Sequence, residues 1–178
     1  AWIEDVAPWH YTDHYVRLRN STTMPICTGE DIYCKEGYEK LMKAGGVSVI
    51  HPDVLTAGGM LETKKIGDLA YEYGVMTALH MAESPIGAMA AVHVAAALPQ
   101  VIAMEFHSAD VPYWQDIVNG LPKPLIQDGF ITVPDAPGLG IESLNEEFIS
   151  TLICKNIPGQ WEETSQWDGD ICNDRLWS

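Results

Sequence analysis

The chain has 178 residues, 47% apolar and 20% charged, with 15 Gly and 11 Pro, which excludes a collagen-like, mucin-like or disordered polymer and suffices for one domain with a sizeable core. A net charge of −15, with ten basic residues scattered along the chain, excludes the clustered Lys and Arg that a nucleic-acid backbone or an anionic membrane requires. The longest nearly unbroken apolar run, 86–98, is too short to span a bilayer and carries His93. Residues 1–10 read as a strand and loop, with no signal peptide. Cys27, Cys34, Cys154 and Cys172 form neither a CxxC pair nor a dense framework, so a cytoplasmic location is expected.

Short apolar strands alternate with amphipathic helices, the pattern of α/β architecture. Residues 1–4 read as a strand and 13–19 as a helix, followed by a strand at 25–27 and a helix at 35–43 closed by Gly45 and Gly46. The β-branched run 47–50 suits a buried parallel strand. In the third helix Ile66, Leu69, Ala70 and Tyr73 recur at i, i+3, i+4 and i+7, and Gly74 stands where it should stop. A strand at 75–79 follows, then a small-residue helix from Ser84 as N-cap and Pro85 as N1 to Leu98, then a strand at 101–106. Past Trp114 the alternation ends. Residues 130–133 read as a strand, 135–140 as a Pro/Gly loop, 146–153 as a short helix and 158–178 as an irregular acidic tail.

Each strand ends in an ionisable residue: Glu4, Glu30, Asp53, His80 and Glu105, at gaps of 26, 23, 27 and 25 residues. That period approaches the ~30 residues of a βα unit in a (β/α)8 barrel, where the carboxyl ends of the strands converge on one rim. The chain is shorter than the ~250 residues of a complete barrel. Two carboxylates on adjacent strand ends, Glu4 and Glu30, repel one another unless a hard cation such as Mg²⁺ joins them. A carboxylate at Asp53 can fix the tautomer of His80 and raise the basicity of its free nitrogen. Glu105, placed between Met104 and Phe106, could stay protonated and donate a hydrogen bond to a developing oxyanion.

The motifs Trp2-Ile3-Glu4-Asp5, Thr28-Gly29-Glu30-Asp31, His51-Pro52-Asp53 with Gly58-Gly59, Leu79-His80 and Ala103-Met104-Glu105 together resemble the enolase superfamily, in its branch of mandelate racemase and muconate lactonizing enzyme that includes acid-sugar dehydratases. Residues 137–142 resemble the family's barrel-exit segment, so the likeness runs from residue 1 to about 142. It implies a (β/α)8 TIM-type barrel of which this chain holds strands 4–8 in residues 1–115, with the closing segment and acidic tail of the same domain in 116–178. It implies Mg²⁺ held by Glu4 and Glu30, a general-base dyad of His80 and Asp53, and Glu105 as hydrogen-bond donor to the enolate. The implied partners are a small acid-sugar substrate, the preceding capping domain and strands 1–3, and further copies in a homo-oligomer.

The expected chemistry is Mg²⁺-dependent removal of the proton α to a carboxylate, with dehydration of an acid sugar to a 2-keto-3-deoxy acid. Racemisation or epimerisation of a 2-hydroxy acid, and an inactive barrel used for binding or regulation, are the alternatives. Trp9 and His10 in the first loop, and His107 with Asp110 after the last strand, are candidates for contact with substrate. Strand alternation sends Asp5 and Asp31 away from their neighbours, into the loops or behind the ligands. His93 reads as a core or interface residue.

Overall fold

The computed structural model describes residues 1–108 and 110–153. Strands β1 (Ile3–Glu4), β2 (Ile26–Thr28), β3 (Val49–Ile50), β4 (Met76–Leu79) and β5 (Val101–Met104) form one parallel sheet in chain order. The crossovers are helices α1 (Thr12–Ser21), α2 (Cys34–Lys43), α3 (Met60–Glu72) and α4 (Pro85–Ala97). Every strand therefore pairs with the next one along the chain, and β1 and β5 are the sheet's edges.

One face of each helix explains this packing. Tyr38, Leu41 and Met42 of α2 and Ile66 and Ala70 of α3 are buried with Ile26, Ile50 and Val75 in a core between helices and sheet. Gly74 ends α3 as expected, at φ +67° after Tyr73. Helix α4 buries eight of its thirteen residues, which is why it is apolar on nearly every side.

Several boundaries move. The strands expected at 1–4, 47–50 and 101–106 shorten to Ile3–Glu4, Val49–Ile50 and Val101–Met104, with single backbone bonds, such as Ser48 N–H to the Ile26 carbonyl and Glu105 N–H to that of Leu79, continuing the contact just outside them. Ser84 occupies the N-cap of α4 without a side-chain cap bond, so Pro85 alone marks that start. No strand forms at 130–133. Asp128 and Gly129 turn the chain at positive φ, leaving Phe130 76% exposed with a single bridge back to Gln127.

Pairing in this region falls instead to β6 (Val118–Asn119) and β7 (Ser143–Leu144), antiparallel, between a 3-10 helix (Trp114–Ile117) and α5 (Glu146–Leu152). The tail expected at 158–178 lies outside the described residues, as do Cys154 and Cys172. Cys27 and Cys34 are free.

Two local devices aim the carboxyl ends of the strands. Between β4 and β5 the register shifts by one residue, so that Ala103 faces Ala78 and Met104 faces Leu79, and Glu105 follows level with His80. Gly29 allows the chain before Glu30 to press on β3, since a Cβ there would lie 2.8 Å from the His51 nitrogen. The buried Tyr38 hydroxyl lies 2.7 Å from the Gly29 carbonyl and 3.0 Å from that of Ile32, tying α2 to the loop that carries Glu30. Tyr38→Phe leaves these buried carbonyls without that donor, and should cost about 1–3 kcal/mol in urea denaturation with the fold retained by circular dichroism.

Candidate functional site

Strand periodicity assigns the site's side chains to one face. Trp2 and Glu4 share a side, as do Val49, His51 and Asp53, and Met76, Ala78 and His80. Beneath the charged groups, Cys27, Val49 and Ala78 pack with Trp2 and Met76 into an apolar floor. The polar residues stand above it, at the carboxyl ends of the strands.

His80 Nδ1 lies 2.7 Å from Asp53 Oδ2, and the other Asp53 oxygen accepts the Leu55 backbone N–H at 2.7 Å. A parallel bridge joins the two residues' backbones as well, so position and orientation of the imidazole are set together. The free His80 Nε2 faces Glu30 at 3.2 Å and Glu105 at 3.7 Å. His107 Nε2 lies 3.1 Å from the same Glu105 oxygen.

Glu4 is held by the Trp2 indole N–H at 2.5 Å and faces His51 Nδ1 at 3.1 Å. His51 is fully buried, and its Nε2 lies 3.5 Å from Glu105. One oxygen from each of Glu4, Asp5 and Glu30 lies within 4.8 Å of the others.

The charge balance of the cleft is acidic. Among the described residues, Glu4, Glu30, Asp53 and Glu105 have only histidines as ion-pair partners. Loss of hydration pushes the Glu30 carboxyl above its ordinary range; His80 opposes this, and Asp5, Asp31 and Glu4 add to it. Asp5 is raised too, by desolvation and by Glu4, against a hydrogen bond from Thr28. Such a set of crowded, hard oxygen donors fits a divalent cation of the Mg²⁺ type, with Glu4, Asp5 and Glu30 as the residues that could hold it.

The dyad is polarised in the opposite sense. The hydrogen bond to Asp53 pushes His80 up to about 9 against the effect of burial, with Glu30 and Glu105 assisting. Asp53 is 1% exposed, yet the hydrogen bonds from His80, Glu83 and Leu55 outweigh burial and hold it below its ordinary value. Glu83 behaves oppositely: burial and its hydrogen bond with Asp53 raise it above its ordinary value.

All five rim residues expected from the spacing meet here. The surroundings of Glu105 differ from expectation. Met104 and Phe106 turn to the outer core with Trp114 and Leu125, and Glu105 faces three imidazoles instead. Asp5 also departs from expectation. Its φ of +45° breaks strand alternation, and its carboxyl comes round beside Glu4 and Glu30. Asp31 stays exposed in the loop.

Trp9 and His10 line a cleft of about 690 Å³ with Asp5, Thr28 and Asp31, next to the rim. Trp9 also packs on the helix-side core. His107 is half exposed beside Glu105, Asp110 is exposed, and His93 lies on α4.

Sequence reasoning left His51 and Glu83 without a role. His51 had a usable signal, since it precedes Asp53 by two residues and must share its face. Glu83 had none, because it reaches Asp53 from the loop between β4 and α4.

Residues 1–147 match the family model described as Enolase C-terminal domain-like. The D-xylonate dehydratase of Haloferax volcanii is 43% identical over 140 residues, 79% of this chain and 34% of that protein. The D-galactonate dehydratase of Ralstonia pickettii is 32% identical over 145 residues, 79% of this chain and 38% of that protein. The crystal structure of a mandelate racemase/muconate lactonizing enzyme-like protein from Rubrobacter xylanophilus superposes with a TM-score of 0.82 at 35% identity, covering 88% of this chain and 40% of the other. The chain thus spans between a third and two fifths of the length of these relatives. Its parallel sheet is five consecutive strands of a TIM-type barrel, and the chain belongs to the enolase C-terminal domain-like family, in the enolase superfamily.

Proposed function

We propose that the protein of which these strands are part removes the proton α to the carboxylate of an acid sugar and expels the β-hydroxyl, giving a 2-keto-3-deoxy acid. The observation that carries this reading is the His80–Asp53 contact of 2.7 Å, with the free imidazole nitrogen turned 3.2 Å from Glu30 on an acidic rim. The names of the relatives, D-xylonate and D-galactonate dehydratase, support an aldonate as substrate class.

Glu4, Asp5 and Glu30 would hold a Mg²⁺ ion. When bound, the ion supplies positive charge that stabilises the negative charge developing on the substrate carboxylate. His80 Nε2 accepts the α-proton while Asp53 keeps the hydrogen bond at Nδ1, which stabilises the imidazolium that forms. The same imidazolium returns a proton to the departing β-hydroxyl, which leaves as water. The enol that remains tautomerises to the 2-keto acid. Glu105, beside the base on the neighbouring strand end, contributes a carboxyl to the substrate's oxygens. His107, Trp9 and His10 line the approach from the loops. Convergence of all five rim residues supports catalysis over an inactive binding barrel.

In the full-length protein, His80→Asn should lower kcat for aldonate dehydration by about 10²–10⁴-fold while leaving Mg²⁺ affinity near the parent value. Full turnover in that variant would contradict the assignment of the base. Chelation of divalent cations should abolish turnover, and added Mg²⁺ should restore it. Glu30→Gln should weaken Mg²⁺ binding measured by calorimetry.

The dyad also fixes a pH dependence. A folded-state value of about 9 for His80, above its ordinary 6.5, means that the folded protein binds this proton more tightly than the unfolded chain. The resulting stability is complete below pH 6.5 and disappears as pH rises through about 9. Without metal, urea denaturation at intervals from pH 6 to pH 10 should show this decline, and Asp53→Asn should flatten it. Turnover needs His80 neutral, so kcat/KM should rise with pH, and Asp53→Asn should shift that rise to lower pH.

A further inference from the structure

We propose that His51 is a positioning residue with two separable tasks: its Nδ1 side orients Glu4 for the cation, and its Nε2 side orients Glu105 towards the substrate. This rests on the function proposed above. The imidazole is fully buried, and its two nitrogens lie 3.1 Å from Glu4 Oε1 and 3.5 Å from Glu105 Oε2. Neither nitrogen completes a well-aligned hydrogen bond, nor does Glu105 Oε2, which His107 Nε2 also approaches to 3.1 Å. Buried polar atoms are rarely left in that condition, and here Nδ1 faces the Glu4 carboxyl while Nε2 and Glu105 Oε2 face each other inside the candidate site.

The ring has little freedom to leave. Its backbone N–H donates to the Thr28 carbonyl, and Gly29 presses on the same peptide. Trp2 stands edge-on at 6.0 Å between ring centroids and His80 at 5.5 Å. The second Glu4 oxygen is taken by Trp2, so the Trp2 indole and the His51 ring hold that carboxyl from two directions. A histidine retained only to fill the core would meet apolar neighbours or a backbone carbonyl. This one meets, on its two nitrogens, carboxylates from opposite ends of the sheet, β1 and β5.

Asn and Gln separate the two tasks, because an Asn amide occupies roughly the place of Nδ1 and a Gln amide that of Nε2. In full-length protein, His51→Asn should keep the parent Mg²⁺ affinity while kcat falls. His51→Gln should keep kcat at saturating Mg²⁺ while the affinity falls. His51→Leu should lose both, and each loss should be about 10–100-fold, the range for groups that orient metal or catalytic ligands.

Mg²⁺ affinity is read by calorimetry and kcat by Mg²⁺-dependent exchange of the aldonate α-proton in D₂O. Parent values in folded His51→Leu overturn the proposal, as do equal losses of both quantities in folded Asn and Gln variants. If His51→Leu does not fold, the Asn and Gln pair decides. Absence of exchange in the parent protein overturns the proposed function, and the contrast in Mg²⁺ affinity between Asn and Gln then still decides the role at Glu4.

Discussion

Mutual repulsion between carboxylates governs this structure. Glu4, Asp5, Glu30, Asp53 and Glu105 are brought to one end of a parallel sheet, and the ion-pair partners of Glu4, Glu30, Asp53 and Glu105 among the described residues are imidazoles. Removing such charges from water while crowding them is costly unless the charge is shared with a proton or a cation. The fold meets this in two ways. On the β3–β4 side, Asp53 is satisfied by His80, Leu55 and Glu83 and stays ionised. On the β1–β2 side Glu30 has, among the described residues, only the His80 Nε2 at 3.2 Å as an ion-pair partner, and loss of hydration raises its proton affinity.

That asymmetry divides the cleft into a half suited to proton transfer and a half suited to a divalent cation. The sheet makes the division rigid. Glu4 ends β1 and Glu30 follows its neighbour β2, Asp53 and His80 follow the next two strands, and Glu105 follows the edge strand β5. The single register shift between β4 and β5 keeps Glu105 level with His80 rather than a residue away from it. His51 lies at the centre of the arrangement, in reach of both the Glu4 and the Glu105 carboxyls.

Much of this was legible in the sequence because parallel strands impose a simple rule. Polar residues closing short apolar runs at a βα period must emerge on one rim, and Glu4, Glu30, Asp53, His80 and Glu105 do. The helices were legible for a similar reason: Ile66 and Ala70 bury the face that their 3.6-residue spacing defines. The rule fails where backbone geometry departs from the regular element. Asp5 turns inward through a positive φ that no neighbouring residue type announces. The run 130–133 has strand-forming side chains but no strand to pair with, and the pairing of 118–119 with 143–144 depends on contacts distant in sequence. Glu83 reaches Asp53 from a loop, where periodicity gives no direction.

The most direct test of the central claim, one cleft shared by a cation and a base, is an ¹⁵N NMR titration of the histidine side chains with Mg²⁺. Positive charge beside Glu30 should lower the pKa of His80 and shift its ring signals with a stoichiometry of one, while the exposed His14 stays unchanged. Saturable Mg²⁺ binding that leaves the His80 and His51 signals unmoved would place the ion elsewhere and contradict the shared cleft.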